Sequence, residues 1–526
     1  MRKITLLCIL LTALSVLISC EIKNNETPKL IEVVIENNNS TYLEDDLNGD
    51  YEAFEFSLSS DGIGYYVKEK KDNTLTELTV PSSYKGLPVV GICREAFAHN
   101  DVVVSVKIPS SVVYISEYAF ACSENLKSVV FDDNCKILKI SDHAFEYSRA
   151  LESIIIPSSV CEIGYHSFYH CESLENILVD ENNQYFSSKD GNLYSKDGKK
   201  LITYAQGKKE EAFCIPNEVE IIGREAFANS QNVKSITVSD SVKTIETEAF
   251  YNCNIENICF GNDSNLLSIG KSAFACCRFL TGIEIPSSVT EIGGSAFSYC
   301  RSFTDIVIPD SVMSIGSGVF YSCENLESIV LSNSITEIKS GTFRECTSLK
   351  NIEIPNSVQS IGEGAFSRCV KLENIVVPQG VTVIEGYTFN YCERLKSVQL
   401  PSSLVEIKEY AFNNCRSLSD IDIPDGVRIL GEGVFAECNR LTEIVIPEGV
   451  TVISANLFKG CDNLSNLVIP STVTHIESSA FASTRSLKTL KFNGTREQWD
   501  AIGFEITWLN DSRIWEVVCL ADSEEE

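Results

Sequence analysis

The chain has 526 residues, 44% of them hydrophobic, and carries a formal charge of −30 from 73 acidic and 43 basic side chains. That balance opposes nucleic-acid binding, which rests on Lys and Arg neutralising phosphates, and it opposes passive adhesion to an anionic bilayer. Five histidines leave little material for acid–base or metal chemistry.

Residues 1–19, MRKITLLCILLTALSVLIS, combine a basic start with an apolar run that is short and close to the terminus, which predicts an export signal. The run closes on Leu17-Ile18-Ser19-Cys20, which resembles a bacterial lipobox and implies diacylglycerol on Cys20; an ordinary secretory signal with an incidental cysteine is the alternative. Acyl chains anchor through about 0.8 kcal/mol per buried methylene, so a multiply acylated Cys20 would hold the chain on a membrane. Residues 20–50 are Asn- and Glu-rich and read as a solvated tether.

Residues 51–92 are expected to form an N-terminal cap, because they precede the regular period that occupies 93–489. From Phe274 to Phe481 a phenylalanine recurs every 23 residues, and Phe97, Phe120, Phe145, Phe168, Phe227 and Phe250 extend the series with one long gap. One unit reads I-P-x-x-V-x-x-I-x-x-x-A-F-x-x-C-x-x-L-x-x-I-x, as in IPSSVTEIGGSAFSYCRSFTDIV from Ile285 to Val307. L-x-x-I-x-I-P alternates apolar and polar, which predicts a short half-buried strand with Leu441, Ile444 and Ile446 facing inward. One such unit cannot cover its own apolar face, but stacked copies share a core. The expected fold is an α/β-type repeat solenoid, a right-handed superhelix of short parallel strands with β-rich caps.

This order resembles the BspA-like leucine-rich-repeat proteins, in which I-P-x-S-V-x-x-I-G-x-x-A-F-x-x-C-x-x-L recurs; the match spans about residues 80 to 490. The resemblance implies a bacterial cell-surface protein that adheres to host extracellular-matrix proteins or to other bacteria. A lipid-anchored member would sit in the outer membrane or cell envelope, exposed at the surface, as a monomeric ectodomain.

The long gap, about residues 181–214, contains Asp190-Gly191 and Asp197-Gly198 between short alternating stretches, which predicts a β-hairpin insertion. A calcium loop would need further regularly spaced oxygen ligands. Residues 490–520 break the period, hold Trp499, Trp508 and Trp515, and read as the C-terminal cap; residues 521–526 are an acidic tail.

Twenty-one cysteines in an exported chain suggest disulfides, yet their register argues otherwise. Cys300, Cys323, Cys346 and Cys369 each follow Phe297, Phe320, Phe343 and Phe366 by three residues, forming an expected structural ladder of Phe and Cys. Ladder side chains run parallel, whereas a disulfide needs β-carbons about 3.8 Å apart. Ser148, Ser230 and Thr484 fill the same slot, so small buried thiols are expected rather than bridges or metal ligands. His166 and His170 overlay the repeat turn and read as surface histidines, and Gly316-x-Gly318, Gly362-x-Gly364 and Gly431-x-Gly433 recur in one slot as turns. No nucleophile elbow, P-loop or H-E-x-x-H is present, so no catalytic residue, metal or cofactor is expected.

The outward position between the last two inward residues of each strand gives Glu284, Val307, Val330, Glu353, Val376, Gln399, Asp422, Val445 and Val468. Valines beside small polar and acidic residues form the kind of strip that binds another macromolecule. A protein partner for this face is therefore expected, with an envelope scaffold and a carbohydrate-handling enzyme as the alternative readings.

Overall fold

The computed structural model describes residues 51–70 and 74–524. The export signal, Cys20 and the tether, together with the last two residues of the acidic tail, lie outside the described residues. The chain forms two compact units, one running to Gly198 and including Thr203–Lys208, the other made of Lys199–Ile202 and everything from Lys209 onward.

In both units most repeats contribute two β segments rather than one. In the first unit the L-x-x-I-x-I strands stack in parallel as Glu77–Thr79, Ser105–Ile108, Ser128–Phe131, Ser153–Ile156 and Asn176–Val179. The register is direct, with Ser153 opposite Asn176 and Ile154 opposite Ile177. The V-x-x-I segment forms a second parallel ladder from Leu87–Ile92 through Tyr114–Ile115 and Lys139–Ile140 to Glu162–Ile163. Phe54–Leu58 pairs antiparallel with Tyr65–Lys70, which joins this ladder and closes its first edge. Phe186–Lys189 and Asn192–Ser195 form an antiparallel hairpin whose turn places Asp190 and Gly191 at φ 50° and 72°. Both are left-handed, as the two-residue turn of a twisted hairpin requires. Buried Asn183 holds the hairpin entry, donating to the carbonyls of Pro157 and Val160 and accepting from the amides of Tyr185 and Phe186.

The second unit continues the two-segment plan. Its short ladder runs through Ile221–Ile222, Thr244–Ile245, Ser268–Ile269, Glu291–Ile292 and Ser314–Ile315, and further pairs follow to His475–Ile476 and Gly503–Phe504. Its longer strands begin at Ala212–Cys214 and end at Glu516–Cys519. Leu441, Ile444 and Ile446 point inward and are buried.

The segment between the two ladders contains no helix in the repeats; the one α-helix among the described residues is Arg496–Asp500 in the C-terminal cap. The backbone explains this. Around Phe297, Ser295 and Tyr299 sit at φ 55° and 59°, and around Phe412, Tyr410 and Asn414 sit at 53° and 59°. Two left-handed residues per turn preclude a helix and cost of order 1 kcal/mol each for a residue with a Cβ. Stacking offsets the cost, because the same turns hydrogen-bond to the next coil: Phe297 N–H to Val319 O at 2.9 Å and Tyr299 N–H to Tyr321 O at 2.7 Å. The recurrent Gly-x-Gly pairs follow from this geometry. Gly318 occupies the positive-φ site at 63°, and a Cβ on Gly316 would lie 2.2 Å from the Gly294 amide nitrogen of the preceding coil.

The core is a column of stacked rings. Phe97, Phe120 and Phe145 stack at 4.9 and 5.2 Å in the first unit, and Phe297, Phe320, Phe343 and Phe366 continue at 5.7, 5.7 and 5.3 Å in the second. Aromatic residues close each column: Phe54 meets Phe97 edge-on at 6.0 Å, and Trp508 meets Phe481 edge-on at 5.9 Å. Buried Trp499, on the capped helix, packs on Phe492 at 5.4 Å. Among the described residues no helix is long and apolar enough to cross a membrane.

Candidate functional site: the strand face of the second unit

Outward positions on the longer strands are fixed by the alternation that buries Ile306, Ile329, Ile375 and Ile444. Val307, Val330, Val376 and Val445 are 59, 59, 58 and 66% exposed. Glu284, Glu353, Gln399 and Asp422 are exposed in the same column, whereas Val468 is half-buried, in register with Lys491, whose amine reaches Asn466 Oδ1 at 2.9 Å.

The ladder under this column is interrupted in a regular way. Asp305–Val307 pairs with Ser328–Val330, and Asn374–Val376 pairs with Ser397–Gln399. The coils at Gly282–Ile285, Asn351–Ile354 and Asp420–Ile423 form no strand, and their backbones make no hydrogen bond to a neighbouring coil. Each of these open coils carries the acidic outward residue: Glu284, Glu353 and Asp422, spaced by 69 residues, or three repeats. Asp and Glu are poorer strand formers than Val, yet Asp305 and Glu443 stand exposed at the first position of strands that do form.

At the central opening lies a groove of 570 Å³ whose lining mixes apolar residues, Val330, Ile354 and Val376 among them, with Asn333, Asn351, Asn356, Asn374 and Glu353. The basic residues nearby are engaged: Lys350 pairs with Glu327 at 2.9 Å and Lys396 with Glu373 at 2.6 Å. Glu284, Glu353 and Asp422 have no ion-pair or hydrogen-bond partner among the described residues. The 69-residue spacing was open to a reading of the outward column alone, but the backbone opening that accompanies it carries no signal of its own.

The Phe–Cys slots lie inside. Phe297, Phe320, Phe343 and Phe366 are fully buried, as are Cys300, Cys323, Cys346 and Cys369. Each thiol donates to the Phe carbonyl of the coil before, Cys323 Sγ to Phe297 O at 3.1 Å and Cys346 Sγ to Phe320 O at 3.1 Å. Ser148 Oγ makes the same bond to Phe120 O at 2.8 Å, whereas Ser230 Oγ is buried without a partner among the described residues and Thr484 Oγ1 bonds Phe481 O of its own turn; a donor role in this slot is one that spacing alone did not reveal. Burial pushes the Cys253 and Cys438 thiols up to about 12, which keeps them protonated donors; the described cysteines are free.

In the first unit, the His170 ring stacks on Tyr147 at 4.5 Å, its Nδ1 lies 3.6 Å from Glu172, and burial lowers its pKa. His166 is half-buried and meets Tyr169 at a 50° tilt, with ring centroids 4.6 Å apart.

Comparison with known proteins places this architecture. No curated protein matches the chain. Among solved structures, a leucine-rich cell surface protein of Faecalibacterium prausnitzii is 31% identical, over 60% of this chain and 97% of that one, with a TM-score of 0.43. A leucine-rich repeat protein of Eubacterium ventriosum is 23% identical over 60% and 92%, with a TM-score of 0.50. One of Bacteroides ovatus is 22% identical over 84% and 98%, with a TM-score of 0.44. The family model described as BspA type leucine-rich repeat region matches residues 63–190, 203–311, 267–396 and 382–507 in six copies. The family-model match, over well more than half of the chain, together with the repeat and its parallel stacking, shows that the chain belongs to the BspA-type leucine-rich-repeat family.

Proposed function

We propose that the protein is a lipid-anchored surface adhesin, held by Cys20 and its tether, whose strand face binds a host extracellular-matrix protein or a protein on another cell. The observation that carries this reading is the column of exposed valines, Val307, Val330, Val376 and Val445, on a rigid face whose other side is fully buried core. Rigid, pre-ordered apolar area loses little entropy on binding, and an apolar strip rimmed by polar groups is the common anatomy of a protein interface. The family's leucine-rich repeats suggest a protein-binding surface protein, and the acidic surface keeps such a face soluble.

The test is binding of the full-length chain to a panel of purified matrix proteins by biolayer interferometry. A Val330→Lys, Val376→Lys double variant is expected to lose the partner, and a Met313→Lys variant, exposed in a different slot, is expected to keep it. Equal binding by both variants would remove the strand face from the account. Protease shaving of intact cells, with and without Cys20→Ala, tests the anchor: clipping of the wild type and loss of the variant from the envelope are expected, and a protected wild type would favour the envelope scaffold.

A further inference from the structure

Taking the strand face as the binding surface, we propose that the second unit recognises an extended cationic segment of a protein partner, lying along the stacking direction and placing a basic side chain at each of Glu284, Glu353 and Asp422. The proposal deepens the adhesin reading and rests on it.

Three observations converge. The carboxylates are exposed and unpaired, while Lys350 and Lys396, on the neighbouring coils, are already bound to Glu327 and Glu373. Along this column two uncharged residues stand between successive carboxylates, Val307 and Val330 in the first interval, Val376 and Gln399 in the second, with exposed Asp305 in the neighbouring outward row. At the middle carboxylate the ladder opens into the groove of 570 Å³, whose lining sets Val330, Ile354 and Val376 beside Asn351 and Asn374.

The spacing fixes the form of the ligand. Coils stack about 4.8 Å apart, so carboxylates three coils apart lie about 14 Å apart. An extended chain rises about 3.3 Å per residue, so this interval takes four residues, and residues four apart point to the same side of a strand. The residue midway, two positions on, also points to the face and falls over the uncharged interval. The motif is basic-x-apolar-x, repeated. A helical ligand, at about 1.5 Å per residue, would need nine or ten residues per interval and would present its basic groups on drifting faces.

The probe is a synthetic peptide of two Lys-Thr-Val-Thr repeats closed by a lysine, which carries three lysines for the three carboxylates, compared by fluorescence anisotropy with an isomer of the same composition whose lysines are grouped at one end. Three exposed ion pairs lost out of register predict about tenfold weaker binding for the isomer. The Glu284→Gln, Glu353→Gln, Asp422→Asn variant is expected to abolish the preference between the two peptides, and added salt to shrink it. Equal binding of both peptides to the wild type, or a preference that survives in the triple variant, would overturn the proposal. The matrix panel separates this failure from that of the adhesin reading: a partner lost by Val330→Lys, Val376→Lys but kept by the triple variant refutes the cationic ligand alone, and a partner kept by both variants refutes the face.

Discussion

Replacing Cys346 tests whether the recurrent cysteine is a packing residue or a hydrogen-bond donor. Its side chain is fully buried, and its thiol donates to Phe320 O at 3.1 Å, a carbonyl that also accepts the Cys323 amide at 3.1 Å. Cys346→Ser keeps a donor in the geometry that Ser148 already uses at 2.8 Å, and its cost should stay under about 1 kcal/mol. Cys346→Ala removes a bond of net value about 0.5–1.5 kcal/mol and leaves a void near the size of a methyl group, worth about 1 kcal/mol. Alanine should therefore be the more damaging by about 1 kcal/mol. Urea unfolding measures the difference as a shift of midpoint at constant slope. Agreement of two spectroscopic probes is needed first, because repeat arrays can unzip in stages. An alanine variant as stable as the serine variant would refute the donor role.

Phe343→Ala deletes a ring stacked on both sides, at 5.7 Å from Phe320 and 5.3 Å from Phe366, and should cost about 3–5 kcal/mol in the same assay. Native thiol labelling should modify Cys214 and Cys259, exposed on the strands, while the buried ladder thiols react only on unfolding. Because burial raises the folded-state pKa of Cys253 and Cys438 to about 12 against about 8.5 unfolded, their contribution is full below about pH 8.5 and is lost as pH rises toward 12; thermal melts from pH 8 to 10.5 should show falling stability. Glu220 is held at about 2 by hydrogen bonds from Lys199 and Lys243. Its stabilisation is present above about pH 4.3 and lost as pH falls toward 2, and the carboxyl NMR titration midpoint should rise in Lys243→Ala.

Much of this fold is written in the side chains that repeat. Phe297 and Cys300 recur because each coil presents the same inward slot, and alternation around Ile306 placed Val307 outside. The helix content implied by an α/β-type solenoid was not legible, because the positions that prevent it, two before and two after the Phe, hold Ser295, Tyr299, Tyr410 or Gly318 and share a backbone conformation rather than a side chain. The second ladder was missed for a related reason: a two-residue strand such as Ser314–Ile315 offers no alternation to detect. At the face, Glu284, Glu353 and Asp422 were visible as outward residues, but their coincidence with open backbone depends on pairing between coils.

The most direct test of the central claim is hydroxyl-radical footprinting of the chain, free and bound to a matrix protein identified in the panel. Protection should fall on Val307, Val330, Val376 and Val445, while Leu267, Met313 and Val405, exposed in the slot before the two-residue strands, remain reactive. Protection of that second set with the strand-face valines still oxidised would contradict the account.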